Sequence, residues 1–469
     1  MQADSAILPL TTPLLLWYDS GRKMKRSCPM DPLFTRFPLP ALTGEPVSYP
    51  CGDGAHMLLY ENAGEEAVCA YERQLSGCGF VMTDALTIPG SRLATFRRED
   101  LTVVINRFGG QLRLIADPFT APLVQDDPCP RTAKTTLWQH EVDHTLIDCG
   151  MCFIIRCCDG SFFIVDSGHY FQTNDNDRIH RFLRERTPAG EKIRIAGWYL
   201  THAHSDHVCK FSDFLRYNMH DCELEAVYYN FPHPYPPEGA GWKAGGNNIH
   251  ILNINEQLSE LQGVRLCKLH TGQHFAVRNL HFTVLCTHED AFPTENDDFN
   301  NTTTVLMMEA EGSRVLFCGD ASDVESDIME RRWGERLACD ILQVAHHGHH
   351  GCSAAFYELA KGKAALFANT QIFYDLDLIK EKEANSTILR HAKEVHISSN
   401  GTVEADLPYE SFTVLPDETF EDFEKIRHLW GYTYTPERMA ELYAAYLARG
   451  GKASQSFYRD PNTDNWHDT

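Results

Sequence analysis

Residues 201–207 read Thr201-His202-Ala203-His204-Ser205-Asp206-His207, directly after an apolar run, Ile193 to Leu200, whose pattern predicts a strand. Side chains alternate along a strand, so three histidines and an aspartate at H-x-H-x-D-H spacing cannot all face one way on it. They belong on a turn at its end. There the donors divide between two metal ions, with His202 and His204 facing one and Asp206 and His207 reaching the other. Imidazole with carboxylate suits zinc, and Mn2+ or Fe2+ less distinctively. A His-rich solvated loop is the plainer alternative, so the rest of the chain has to decide.

Four further signals follow in the order a two-ion site needs. Asp166-Ser167-Gly168 closes an apolar hairpin, where a buried aspartate can orient a metal-binding histidine. Thr287-His288-Glu289 ends the apolar segment Phe282 to Cys286. Phe317-Cys318-Gly319-Asp320 ends another, and Ala345-His346-His347-Gly348 ends a third. Singly, a Gly-Asp after a strand is a turn and a strand-end histidine is a surface residue. Together, every candidate lies where loops converge at the C-terminal ends of strands.

The wider composition bounds the reading. A chain of 469 residues is long for one core and points to two domains, or one large domain with appendages. Its 43% hydrophobic and 23% charged residues are those of a soluble globular protein. A net charge of −23 argues against an extended nucleic acid as partner. Sixteen cysteines without scaffold spacing read as free thiols in a reducing compartment. Cys149-Gly-Met-Cys152 sits on an expected strand and has no second C-x-x-C to complete a zinc ribbon. The run Ile7 to Tyr18, broken by Thr11, Thr12 and Pro13, is too short to span a bilayer. The expectation is a cytoplasmic protein without membrane attachment.

Residues 1–45 form the expected irregular lead-in. Residues 46–135 form a small α+β accessory unit, with a helix at Glu65 to Leu75 and β runs at Arg92 to Arg98, Leu101 to Phe108 and Gln111 to Ala116. Gly109-Gly110 marks the hairpin between the last two. This unit lacks a cluster of catalytic residue types, and a dimerisation role, hence a homodimer, is among the expectations. Residues 138–415 alternate hairpins with single helices, which predicts two sheets packed face to face with helices outside. In 416–469, Thr435-Pro436 starts a helix with an apolar stripe through Met439, Leu442, Tyr443, Tyr446 and Leu447, stopped by Gly450-Gly451.

The ordered motifs, over roughly residues 140–400, resemble the metallo-β-lactamase-fold hydrolase superfamily. The run Asn301-x-x-Thr304-Val-Leu, then Cys318-Gly-Asp320, then Asp340 to His346-His-Gly, is similar to the hydrolase domain of the ComEC/Rec2 competence proteins. Those are membrane-embedded, so DNA uptake is not carried over. The resemblance implies a mixed α+β, α/β fold, a four-layer αββα sandwich. It places His202, His204 and His288 on one zinc and Asp206, His207 and His346 on a second, with Asp320 bridging. His347 competes with His346 for the last position and is otherwise substrate-facing.

A histidine after the motif's aspartate, and an aspartate rather than a cysteine at position 320, resemble the phosphoesterase and the thioester or lactone hydrolase branches. His204 in place of a glutamate argues against a diiron flavoprotein. A hydroxide bridging two zincs would be the nucleophile, since coordination lowers the pKa of water from about 15.7 to roughly 7. Asp206 would orient it, and a metal-bound water, His347 or His349 would protonate the leaving group. The expected activity is a phosphodiesterase on a small or short phosphoester. The alternatives are a lactone, thioester or amide hydrolase of the same fold, and a non-catalytic metal-binding regulatory module. The acidic segment Glu289 to Asn301, with Asp290, Glu295, Asp297 and Asp298, reads either as a rim for a cationic group or as a solvated loop.

Overall fold

The computed structural model describes residues 31–143, 150–170, 172, 174–235, 247–293, 298–416, 457–459 and 466–468. Along the strand Cys152–Arg156, Phe153 and Ile155 enter one buried cluster while Cys152 and Ile154 enter another. That is the period of two that a strand covered on both faces imposes. Phe163 and Val165 separate from Phe162 and Ile164 in the same way on Phe162–Asp166. On Val305–Ala310, Leu306 and Met308 join the first of these clusters, and Val305 and Met307 face a third.

The shared cluster lies between two sheets. The first runs in the order Arg265–Lys268, Ala226–Tyr229, Ile193–Tyr199, Phe162–Asp166, Cys152–Arg156, Thr136–Gln139, Val403–Asp406 and Thr413–Val414, with Cys222–Leu224 also paired to Ile193–Tyr199. The second runs His274–Val277, Leu280–Cys286, Val305–Ala310, Ser313–Phe317, Ile341–Gln343, Ala364–Phe367 and Glu394–Ile397. Helices Asp175–Glu185, Ser205–Tyr217 and Asn248–Glu260 cover the outer face of the first sheet through Phe182, Phe211, Phe214 and Ile254. Asp323–Trp333, Ala354–Ala360 and Lys382–His391 cover the second through Met329, Trp333, Phe356 and Ile388. The result is a four-layer αββα sandwich. Among the described residues no helix is long and apolar enough to cross a membrane.

Ahead of the sandwich stands a six-stranded antiparallel sheet in the order Val47–Gly52, Ala55–Tyr60, Gln111–Asp117, Leu101–Phe108, Ser91–Arg98 and Val81–Ile88. The helix Glu65–Gly77 packs Val68, Tyr71 and Leu75 on one face of it. The other face, through Met57, Leu59, Val104 and Ile115, shares a cluster with Phe292 and Phe299 of the sandwich. Sequence patterning finds the helix and three of these strands. It misses the first two, because Pro50, Gly52 and Gly54 interrupt the alternation and read as turn chemistry, and it misses the largely exposed edge strand Val81–Ile88. Gly52 is needed there: its φ is +86°, and a Cβ would stand 2.6 Å from the Phe231 carbonyl oxygen. The helix expected after Thr435 lies outside the described residues. Two short strands, Phe457–Arg459 and Trp466–Asp468, pair antiparallel near the end of the chain.

Candidate metal centre

The strand Ile193–Tyr199 ends two residues before Thr201, and the helix Ser205–Tyr217 begins four residues after Thr201 with His204 as its N-cap. This sharp strand-to-helix turn points the motif's side chains inward. His202 Nε2 lies 2.8 Å from His204 Nδ1 and 3.8 Å from Asp320 Oδ2. His207 Nε2 lies 3.2 Å from Asp320 Oδ2 and 3.6 Å from Asp206 Oδ2. Donor atoms therefore gather into two groups, His202, His204 and Asp320 in one and Asp206, His207, Asp320 and His347 in the other, each spanning less than 4.8 Å. Asp320 belongs to both.

Neighbouring residues fix these donors. Asp166, itself at φ +53°, accepts from Thr201 N at 2.8 Å through Oδ1 and stands 2.7 Å from His207 Nδ1 through Oδ2. A carboxylate at Nδ1 holds a proton on that nitrogen and directs Nε2 toward Asp206 and Asp320, where an ion would take the place of its proton. His347 is set the same way: Nδ1 donates to the Ala368 carbonyl at 2.6 Å, while Nε2 lies 3.0 Å from Asp206 Oδ2 and 3.4 Å from Asp320 Oδ2. The Gly319-Asp320 turn is gripped by Gln343, whose amide accepts from Gly319 N at 2.6 Å and donates to Gly319 O at 2.9 Å.

Two expected ligands stand elsewhere. His346 Nδ1 donates to the His350 carbonyl at 2.8 Å, and its Nε2 faces the Asn300 amide at 3.3 Å. The structure thus puts His347, not His346, beside Asp206 and Asp320. Both residues have positive φ, 50° and 56°, a sparsely populated region for a non-glycine residue and a sign of a backbone held against its preference. That doubled twist exchanges which of the two imidazoles faces the site. His288 starts the one-turn helix His288–Ala291, closed by a capping box between Thr287 and Asp290. Its Nε2 lies 3.0 Å from Asn230 Oδ1, and neither donor group includes it.

The acidic rim is corrected in part. Glu289 and Asp290 are buried, the first beside His270 Nδ1 at 2.9 Å and the second on Arg332 at 2.7 Å and Asn106 at 2.7 Å. Asp298 caps a short turn by accepting from Asn300 N. Glu295 and Asp297 lie outside the described residues.

Several contributors escaped the sequence reading. Thr201 Oγ1 reaches Asp166 Oδ2 at 2.7 Å and His202 Nδ1 at 3.1 Å. Phe299 packs its ring 5.0 Å from that of His204. His169, buried and lowered to about 3 by burial, meets Ser205 Oγ at 3.1 Å. Gln343 alone carried a signal, as a polar residue inside the apolar run Ile341 to Val344.

The donor set fits divalent ions. His207 Nε2 and Asp320 Oδ1 are buried without a hydrogen-bond partner among the described residues, which is costly unless something else meets them. Burial, reinforced by the neighbouring histidines, lowers His202 well below the usual range, and burial takes His204 down to about 4, so both offer neutral nitrogens. Burial opposes charge on His207, but the carboxylates of Asp320, Asp206 and Asp166 outweigh it and raise its pKa well above the usual value. Three carboxylates converging in a buried cleft make the site one that draws cations.

No protein-family model and no curated protein matches the chain. Among solved structures, it is similar to the metallo-beta-lactamase fold protein YhfI from Bacillus subtilis, at 12% identity over 58% of this chain and 100% of that one, with a TM-score of 0.35. CmlA, a diiron beta-hydroxylase from Streptomyces venezuelae, shares 10% identity over 60% of this chain and 55% of its own, TM-score 0.35. The short form of human tRNase Z shares 12% over 49% and 91%, TM-score 0.29. The chain's own sheet order and clustered donors carry the reading of its site.

Proposed function

We propose that this protein is a binuclear metal-dependent hydrolase, and that it is a phosphodiesterase acting on a small or short phosphoester. The observation that supports this most is the sharing of Asp320 between two donor groups whose other members come from two further strand ends. His202 and His204 would hold one ion with Asp320, and Asp206, His207 and His347 the other. Three side chains on the first ion leave a coordination position for water or substrate, as catalytic sites require. All the donors are nitrogen or oxygen, which suits Zn2+ and admits Mn2+ or Fe2+. When bound, such ions acidify water toward neutral pH and neutralise charge developing on a phosphoryl oxygen.

The side chains have separate tasks. Asp166 and the Ala368 carbonyl fix the tautomers of His207 and His347, and Gln343 fixes the turn that carries Asp320. Asp206, with its side chain partly exposed beside His347, is placed to orient an attacking water. With His347 turned to the ion, His349 becomes the candidate proton donor: its Nδ1 lies 2.5 Å from Asp377 Oδ2, and its ring is 6.1 Å from that of His347.

Metal analysis joined to a substrate panel tests this reading. About two equivalents of metal should copurify or reload, and the loaded protein should turn over bis-p-nitrophenyl phosphate. Turnover confined to lactones or thioesters would move the assignment to another bond. Bound metal with no ester turnover would favour a regulatory module.

A further inference from the structure

Where the middle of one helix meets the end of another, a second donor cluster assembles. His180, on the helix Asp175–Glu185, places Nε2 2.6 Å from Asp221 Oδ1. The same oxygen lies 3.7 Å from His220 Nε2 and 3.7 Å from Cys222 Sγ. Arg184 reaches the other oxygen, Oδ2, at 3.4 Å, so Oδ1 alone faces the cluster. The donor atoms of His180, Asp221 and Cys222 all lie within 4.8 Å of one another; His220 is outside that group, and its side chain, 68% exposed, would have to turn in to complete it.

We propose that His180, His220, Asp221 and Cys222 form a zinc site separate from the central cluster. Two imidazoles, a thiolate and a monodentate carboxylate make a donor set that Zn2+ accepts in a closed four-coordinate site. Ligand atoms on a tetrahedral zinc stand about 3.3–3.6 Å apart, from bond lengths of about 2.0–2.3 Å. The contacts of Asp221 Oδ1 with Cys222 and His220 are already within a few tenths of an ångström of that. The contact with His180 must open by about 0.7 Å, as replacing a shared proton with an ion requires.

Position favours the cation too. The 3-10 turn Met219–Asp221 follows the C-terminal end of the helix Ser205–Tyr217, where the helix dipole is negative. At 1.5 Å per residue the cluster lies about 18 Å along that helix from Asp206. An ion there would clamp one helix to the end of another and to the strand Cys222–Leu224. Binding releases the thiol proton to the buffer, while Nε2 of His180 becomes the ligating nitrogen.

The thiol provides a readout, because the central donors contain no sulfur. Cobalt(II) added to the full-length protein should give a near-ultraviolet thiolate charge-transfer band whose final intensity corresponds to one thiolate-bound cobalt per chain, displaced by Zn2+. Cys222→Ser and, independently, His180→Gln should each abolish the band, with folding checked by urea unfolding. Asp320→Asn should keep it, which separates this site from the central one. No band in the unsubstituted protein, or a band surviving either substitution, overturns the proposal.

Discussion

His270 offers a prediction whose size can be worked from the structure. It is buried between Glu289, 2.9 Å from Nδ1, and Asp117, 3.1 Å from Nε2. Burial works against a charged imidazole, but the carboxylates of Glu289 and Asp117 outweigh it and raise the pKa from 6.5 to about 9. At 1.36 kcal/mol per unit this is about 3 kcal/mol of stability. The folded-state value is the raised one. The contribution is therefore complete below pH 6.5, where the unfolded chain is also protonated, and is lost as pH rises through about 9. Asp117 and Glu289 are shifted downward, with burial opposed by His270, so their contribution is lost on the acid side. The interval from 6.5 to 9 isolates His270. His270→Gln leaves two buried carboxylates facing a neutral amide and should cost about 3–5 kcal/mol at the acid end of that interval. The gap between variant and unsubstituted protein should then shrink by about 3 kcal/mol toward pH 9. Equilibrium urea unfolding followed by tryptophan fluorescence at half-unit pH steps measures both curves. Parallel curves across the interval would refute a protonated His270.

Three further predictions concern the centre itself. Asp166→Asn removes the acceptor at His207 Nδ1 and should weaken metal binding roughly 10–100-fold, read by competition with a chelator; unchanged affinity would deny Asp166 its orienting role. His347→Ala should lower the metal content whereas His346→Ala should leave it near two equivalents, and the reverse pattern would restore His346 as the ligand. Gly319, at φ +50°, has no room for a side chain, since a Cβ would meet Thr303 Cγ2 at 2.6 Å and Thr201 Cβ at 2.9 Å. Gly319→Ala should therefore lower stability by about 1–3 kcal/mol and displace Asp320, which a joint fall in the urea midpoint and in metal content would register.

The parts of the site legible in the sequence are those written locally. His202, His204, Asp206 and His207 share one turn, and Asp320 follows an apolar strand after a glycine. A strand end predicts where such residues go without any knowledge of the rest of the chain. The choice between His346 and His347 is not local. It depends on two consecutive residues held at positive φ, on the Ala368 carbonyl, and on Asn369, whose amide donates to His347 O at 2.9 Å. Those partners lie more than twenty residues downstream. His288 misleads for a related reason: a strand end looks the same whether the next turn opens toward the cleft or is curled back by a Thr287–Asp290 capping box.

The accessory sheet has a closer connection to the site than its lack of catalytic residue types implied. Asn106 on its strand Leu101–Phe108 binds Asp290 directly, and Arg113 on Gln111–Asp117 reaches the Phe292 carbonyl at 3.4 Å. Asp117 closes the same strand on His270. The segment 288–292 is thus pinned from outside the sandwich, while its acids are neutralised from within it. Glu289 is matched by His270 and Asp290 by Arg332, so neither carboxylate presents free charge to the cleft. That removes the basis for selecting a cationic substrate there. The unmatched negative charge nearest the reacting position then belongs to Asp206 and Asp320, which is the charge two divalent ions would offset. An anionic phosphoester would approach a centre made positive by its ions, while the protein's overall −23 works against long polyanions more than against short ones.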